Sequence, residues 1–163
     1  MTNLDILQQR IYDTGRLEKQ VAIWRFLQKK IVFTNGCFDL IHPGHISYLS
    51  QAADLGDVLI IGLNTDTSVR ELKGKGRPVI PQEGRALTLS AMRFVDAIVL
   101  FDEPTPIELI RLVQPDILVK GKDYKTEEIV GYDFVIKSGG NVVTIDLLEG
   151  YSTTAILDSR NSE

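Results

Sequence analysis

Apolar residues in this chain gather into short unbroken runs set apart by stretches of helical period. A run at 31–35 opens with Ile31-Val32-Phe33. Val58-Leu59-Ile60-Ile61-Gly62-Leu63, Ala97-Ile98-Val99-Leu100-Phe101, Ile117-Leu118-Val119 and Val142-Val143-Thr144-Ile145 follow. Runs apolar on both faces mark strands covered on both sides, as in parallel sheets. Helical patterns fill the intervals near 44–54, 65–72, 82–93 and 126–138, the last stopped by Gly139-Gly140, glycine being a common helix terminator. Pro104 and Pro106 open another helix that runs to about Val113, proline being tolerated in a first turn. A final helix is predicted from Ser152. Strand–helix alternation makes right-handed crossovers the default. It predicts an α/β fold: a doubly wound three-layer sandwich with a five-stranded, mainly parallel sheet, binding ligands at the carboxyl edge.

Ahead of the first run, residues 4–28 carry two helical patterns broken near Gly15. Leu4, Leu7 and Ile11 share one face, and Leu17, Val21, Trp24 and Leu27 mark the second helix. This divides the chain into a helical extension at 1–28 and one domain at 29–163. Trp24, Phe26 and Leu27 could pack onto that domain or form a subunit contact, which leaves a homo-oligomer open.

At 163 residues the chain is long enough for one domain with a substantial core. Its 44% hydrophobic and 25% charged content is that of a globular protein. A net charge of −4 argues against general nucleic-acid binding. The single cysteine, Cys37, precludes an intrachain disulfide. Residues 1–30 lack a signal-peptide apolar core, and no run approaches the roughly 20 apolar residues that span a bilayer. The expectation is a cytoplasmic protein with small-molecule partners and no membrane association.

Candidate chemistry concentrates at the ends of the apolar runs. Both histidines of the chain, His42 and His45, lie in Thr34-Asn35-Gly36-Cys37-Phe38-Asp39-Leu40-Ile41-His42-Pro43-Gly44-His45, between the first strand and a helix. A helix N-terminus after a glycine-containing turn presents free N–H groups to phosphate, and imidazoles add donors. Gly36 and Gly44 allow close approach. Two surface histidines at a helix start would be the plainer explanation, but their joint placement at one turn favours a ligand role. Zinc ligation with Cys37 or Asp39 is disfavoured, because the chain has no third histidine and no second cysteine.

Three other segments share that edge. Between Arg70 and Arg85 stand five basic and two acidic residues, in a glycine-bearing loop with Lys73, Lys75 and Arg77; it could close over a polyphosphate or be a solvated loop. Ser152, Thr153 and Thr154 could cap a helix or hold phosphate oxygens. Lys120-Gly121-Lys122-Asp123-Tyr124 follows the fourth run, where Asp123 and Tyr124 can recognise a base or sugar. Asn64 and Asp66 could bond a sugar hydroxyl or cap the next helix. The chain contains no Gly-x-Gly-x-x-Gly after the first strand, no P-loop and no Gly-x-Ser-x-Gly.

With these residues in view, the chain resembles the nucleotidyltransferase superfamily marked by His-x-Gly-His, here His42-Pro43-Gly44-His45. Over residues 30 to 157 it is most similar to the D-glycero-β-D-manno-heptose 1-phosphate adenylyltransferase family. The resemblance is carried by Thr34 to Asp39, Leu72-Lys73-Gly74 with Arg77-Pro78-Val79, Leu118 to Gly121 with Asp123-Tyr124, and Gly150 with Ser152-Thr153-Thr154. The resemblance shows no sugar-kinase segment, and the expectation is that the chain would resemble the family's stand-alone form. Glycerol-3-phosphate cytidylyltransferases, otherwise similar near the final motif, carry arginine where this chain has Leu147.

The resemblance implies a Rossmann-like nucleotidyltransferase fold. It also implies AMP transfer from ATP, with Mg²⁺, to a heptose 1-phosphate, giving ADP-heptose for lipopolysaccharide and pyrophosphate. It places His42, His45 and Lys73 in catalysis. Thr34, Asn35, Gly36, Cys37, Phe38, Gly44, Lys120, Gly121, Asp123, Ser152, Thr153 and Thr154 would bind nucleotide. Asp39, Asn64, Asp66, Lys75 and Arg85 would bind the acceptor. No protein side chain is expected to ligate the metal directly.

Overall fold

A computed structural model describes residues 1–123, 125–148 and 150–151. The apolar runs form strands β2 (Ile31–Gly36), β3 (Val58–Asn64), β4 (Ala97–Phe101), β5 (Ile117–Gly121) and β6 (Asn141–Ile145). A sixth strand, β1 (Ile11–Tyr12), pairs with β4 through Ile11–Ile98 and Tyr12–Val99. Among the described residues the sheet therefore has six strands rather than five, in the order β1-β4-β3-β2-β5-β6, and every pairing is parallel.

Alternation along the strands builds the three layers. Ile31, Phe33, Ile60, Val99 and Leu118 pack on one face with Leu17 and Val21 of α2 (Thr14–Phe26), Ile110 of α6 (Ile107–Val113) and Val135 of α7 (Tyr132–Lys137). Val32, Leu59, Ile61, Ile98 and Val119 turn the other way, onto Leu49 of α3 (Pro43–Ala53) and Leu89 of α5 (Gln82–Ser90). Each fully buried Leu or Ile side chain contributes about 1.5–3 kcal/mol of transfer free energy. The central strand β3 is buried along its whole length, which is why its sequence shows no alternation.

The N-terminal segment differs from the sequence reading. Helix α1 (Asn3–Gln9) ends before β1, and α2 starts at Thr14 with Asp13 as its cap, so the break falls at 10–13 and not at Gly15. Arg10 Nη1 donates to the Ser90 and Met92 carbonyls at 3.0 and 3.2 Å. Asp116 accepts from Arg25 Nη1 and from the Ile31 amide, each at 2.7 Å. The helix expected at 126–138 is split into a 3-10 turn at Thr126–Glu128 and α7. Buried Ile129 and left-handed Gly131 (φ 92°) interrupt it. The helix expected from Ser152 lies outside the described residues. No described helix is long and apolar enough to cross a membrane.

The strand order reverses beside β2: β3 lies on one side and the later β5 on the other. Such a switch point opens a crevice at the carboxyl ends of the two diverging strands. Helices α3 and α4 (Asp66–Lys73) begin just beyond the ends of β2 and β3.

Candidate active site

A cavity of about 610 Å³ opens at this crevice, within the range of small-molecule sites. Asn35, Gly36, Cys37 and Phe38 bring it to the end of β2, and His42, Gly44 and His45 to the start of α3. Lys120, Gly121 and Asp123 border it from β5, and Lys73 and Arg77 from the basic loop.

The histidine turn is shaped by its backbone. His42 is the extended N-cap of α3 (φ −139°, ψ 168°), Pro43 takes the first helical position, and the His42 carbonyl accepts the His45 amide at 2.9 Å. The two imidazoles consequently stack, with centroids 3.8 Å apart and planes 22° from parallel. Phe38 meets His45 edge-on at 5.3 Å. A Cβ on Gly44 would lie 2.9 Å from His42 Cε1, so glycine gives the ring its room. The Nδ1 atoms of both histidines, and Oδ1 of Asn35, are buried without a hydrogen-bond partner among the described residues. Buried polar atoms of this kind are rare unless a ligand or water completes them.

Electrostatics follow from burial. Desolvation and then the neighbouring His42 press the His45 pKa down to about 4, against a backbone hydrogen bond with Leu40. His42 is also lowered by desolvation. At neutral pH, with no ligand, His45 is a neutral donor rather than an imidazolium. Desolvation likewise brings Lys120 down to about 8, opposed by the charges of Cys37 and Asp123. Lys120 Nζ donates to the Asn35 carbonyl at 3.0 Å, bridging the two diverging strands.

Several expected residues do other work. Thr34 is fully buried and bonds the Tyr48 hydroxyl at 2.8 Å, so it supports the turn from beneath and does not reach the cavity. Arg85, 1% exposed, donates to the carbonyls of Ile80, Cys37 and Asn64 at 3.0, 2.6 and 2.9 Å and to Asp66 at 2.7 Å. It is a buried tie between segments, and neither it nor Asp66 lines the cavity. Asp39 borders the cavity, but both its oxygens are engaged by Arg77 and the amides of Val79 and Ile80. Asn64 lines the cavity while donating to Ser68 Oγ at 2.9 Å. Lys75 is exposed and away from the lining. Ser152, Thr153 and Thr154 lie outside the described residues.

Other lining residues carried no signal of their own in the sequence. Tyr48 reaches the cavity from α3, and Tyr151 stacks over His42 with centroids 6.3 Å apart. Phe101, Pro104, Pro106, Ile129 and Val130 form an apolar wall opposite the histidines' helix layer. Of these only Phe101 stands at a strand end, and apolar residues of this kind also build cores.

Residues 33–158 match the family described as cytidylyltransferase-like. The bifunctional protein HldE of Gluconobacter oxydans (strain 621H) is 51% identical over 162 residues, covering 96% of this chain and 34% of the relative. That of Caulobacter vibrioides (strain ATCC 19089 / CIP 103742 / CB 15) is 52% identical over 153 residues, covering 94% and 32%. The chain thus spans about a third of the length of these curated relatives. Among solved structures, the lipopolysaccharide core biosynthesis protein from Thermoplasma volcanium GSS1 superposes with a TM-score of 0.61 at 30% identity, over 76% of this chain and 99% of that one. A nucleotide-sized crevice holding His-x-Gly-His, together with these matches, shows that the chain belongs to the cytidylyltransferase-like family of nucleotidyltransferases.

Proposed function

We propose that the chain transfers AMP from ATP to a sugar 1-phosphate, D-glycero-β-D-manno-heptose 1-phosphate, giving ADP-heptose and pyrophosphate. The observation that carries this reading is the convergence of the stacked His42–His45 pair, Lys73 and Lys120 on one cavity at the switch point. The sugar 1-phosphate acceptor is supported by about 50% identity to HldE proteins.

The chemistry asks little of a general base. A sugar phosphate has its second pKa near ~6 and is largely dianionic at neutral pH. One of its oxygens attacks the α-phosphorus of ATP and forms a new P–O bond. The bond from that phosphorus to the α,β-bridging oxygen breaks, and pyrophosphate departs with the electron pair. What the site must supply is in-line placement and donors where charge develops. His42 and His45 hydrogen-bond the phosphate chain as donors. Lys73 balances charge on the reacting phosphates. Lys120 and Asp123 lie on the nucleotide side at β5, and Asn64 with the apolar wall borders the acceptor. No group of three or more His, Cys, Asp or Glu side chains suited to a metal occurs among the described residues. Mg²⁺ brought in with ATP would offset charge on the phosphates.

The test is incubation of purified protein with ATP or CTP, Mg²⁺ and a panel of phosphorylated acceptors. The expected result is ADP-heptose and pyrophosphate from ATP and heptose 1-phosphate. Preference for CTP with glycerol 3-phosphate, for a flavin phosphate, or nucleotide binding without turnover would each replace this reading.

A further inference from the structure

Asp39 stands three residues ahead of His42, on the same turn, and is 2% exposed. A buried carboxylate is tolerated only when paired and hydrogen-bonded. Here its hydrogen-bond partners Arg77, Val79 and Ile80 all come from one distant segment. Oδ2 takes Arg77 Nε at 2.6 Å, while Oδ1 takes the Val79 amide at 2.8 Å and the Ile80 amide at 3.0 Å. Burial pushes this carboxyl upward, but the Ile80 and Val79 amides and Arg77 outweigh it and leave it below the usual range.

The segment it grips is the stem of the basic loop. α4 ends at Lys73. Gly74 (φ 88°) and Gly76 (φ 85°) then hold left-handed conformations with nothing within 4 Å of a would-be Cβ. Beyond Ile80, Pro81 caps α5. The Ile80 carbonyl is taken by Arg85 Nε at 3.0 Å, and Arg85 Nη1 reaches back to the Cys37 carbonyl at 2.6 Å. One end of the flap is thus clamped to the histidine turn from two directions, while its tip is open. Lys73 and Arg77, on either side of the glycines, both line the cavity. Arg77 thus joins Asp39 through Nε while also lining the cavity.

We propose that Asp39 is a positioning residue: its carboxylate ties the flap stem, through Arg77, Val79 and Ile80, to the histidine turn, so that Lys73 meets the reacting phosphates in register with His42 and His45. This rests on the cavity holding a nucleotide, as proposed above. It replaces contact with the acceptor as the reason for an aspartate at this position.

Asp39→Asn in the full chain tests it. Misplacing a catalytic group by about 1 Å can cost much of what the group contributes, so kcat is expected to fall by up to about tenfold, no more than the loss of Lys73 itself, while the KM for ATP moves much less. In a Lys73→Ala background the same change should cost almost nothing further, because both act through one contact. Hydrogen exchange on the free protein should quicken at the Val79 and Ile80 amides and stay slow in β2 and β3. If Asp39→Asn does not fold, Asp39→Glu, which keeps the charge but displaces it, should show the same faster exchange and the same kcat loss. Unchanged exchange at 79 and 80, or an equal kcat loss with and without Lys73, overturns the proposal. Absence of any AMP transfer would instead defeat the proposed function, and the exchange data would still decide the tie.

Discussion

The turn after β2 and the loop after α4 deliver groups to the same cavity, yet they are built in opposite ways. The histidine turn is fixed by a proline start, a stacked ring pair and Phe38 at its edge. Its donors are in place before any ligand arrives, which is what electrostatic preorganisation requires. The loop carries its cations on exposed backbone with two left-handed glycines, held at its far stem by Asp39 and Arg85. A rigid donor array next to a tethered, adjustable cation suits a reaction that must admit two anionic substrates and then neutralise them.

The largest expected effect is on the tie between the two regions. Arg85→Met keeps the volume but leaves the Cys37, Asn64 and Ile80 carbonyls and Asp66 without their donor. Breaking a buried ion pair from one side costs about 3–5 kcal/mol, so thermal or denaturant unfolding should show a loss of that order. A loss below about 1 kcal/mol, the worth of a solvated surface pair, would mean that Arg85 does not join the two regions.

Next comes the preorganised side. His45→Ala should lower kcat by at least ~100-fold, as loss of one oxyanion donor does, with little change in unfolding. Near-normal turnover would remove His45 from the catalytic assignment. On the adjustable side, Lys73→Ala removes a partly solvated charge contact. A loss of about 1.4 kcal/mol corresponds to roughly tenfold, and it should appear in single-turnover AMP transfer rather than in ATP affinity. An effect on affinity alone would make the loop a binding element only.

The smallest effect is a pH dependence. Lys120, with its pKa at about 8 in the free protein, is mostly protonated at neutral pH and loses its charge as pH rises through that value. A phosphate bound beside it favours the protonated form, so ATP binding should weaken from about pH 7 to 9. Lys120→Met should bind ATP more weakly with a flatter profile, and an unchanged slope would take Lys120 away from the anion.

Much of this could be read from the chain. Strands β2 to β6 are visible as apolar runs because parallel strands are buried on both faces, and His42-Pro43-Gly44-His45 is local in sequence. What escaped depends on distant contacts. Ile11–Tyr12 is too short to show a period and becomes a strand only beside β4. Asp39, Asp66 and Arg85 look like acceptor ligands when charge is the sole clue; apart from Ile80 beside Arg85, their side-chain partners lie 19 to 48 residues away in sequence. Thr34 lies at the same strand end as Asn35, but pleating turns it under the turn, toward Tyr48. The wall of Phe101, Pro104 and Pro106 carries no polar signature at all.

A crystal structure with a non-hydrolysable ATP analogue and Mg²⁺ puts the joint site to the test. The expected result is a triphosphate lying along the start of α3, within hydrogen-bond distance of His42 and His45, with Lys73 closed over it and Lys120 on the nucleotide side. A nucleotide whose phosphates lie away from the histidine turn, or a Lys73 that stays directed into solvent with the analogue bound, would contradict it.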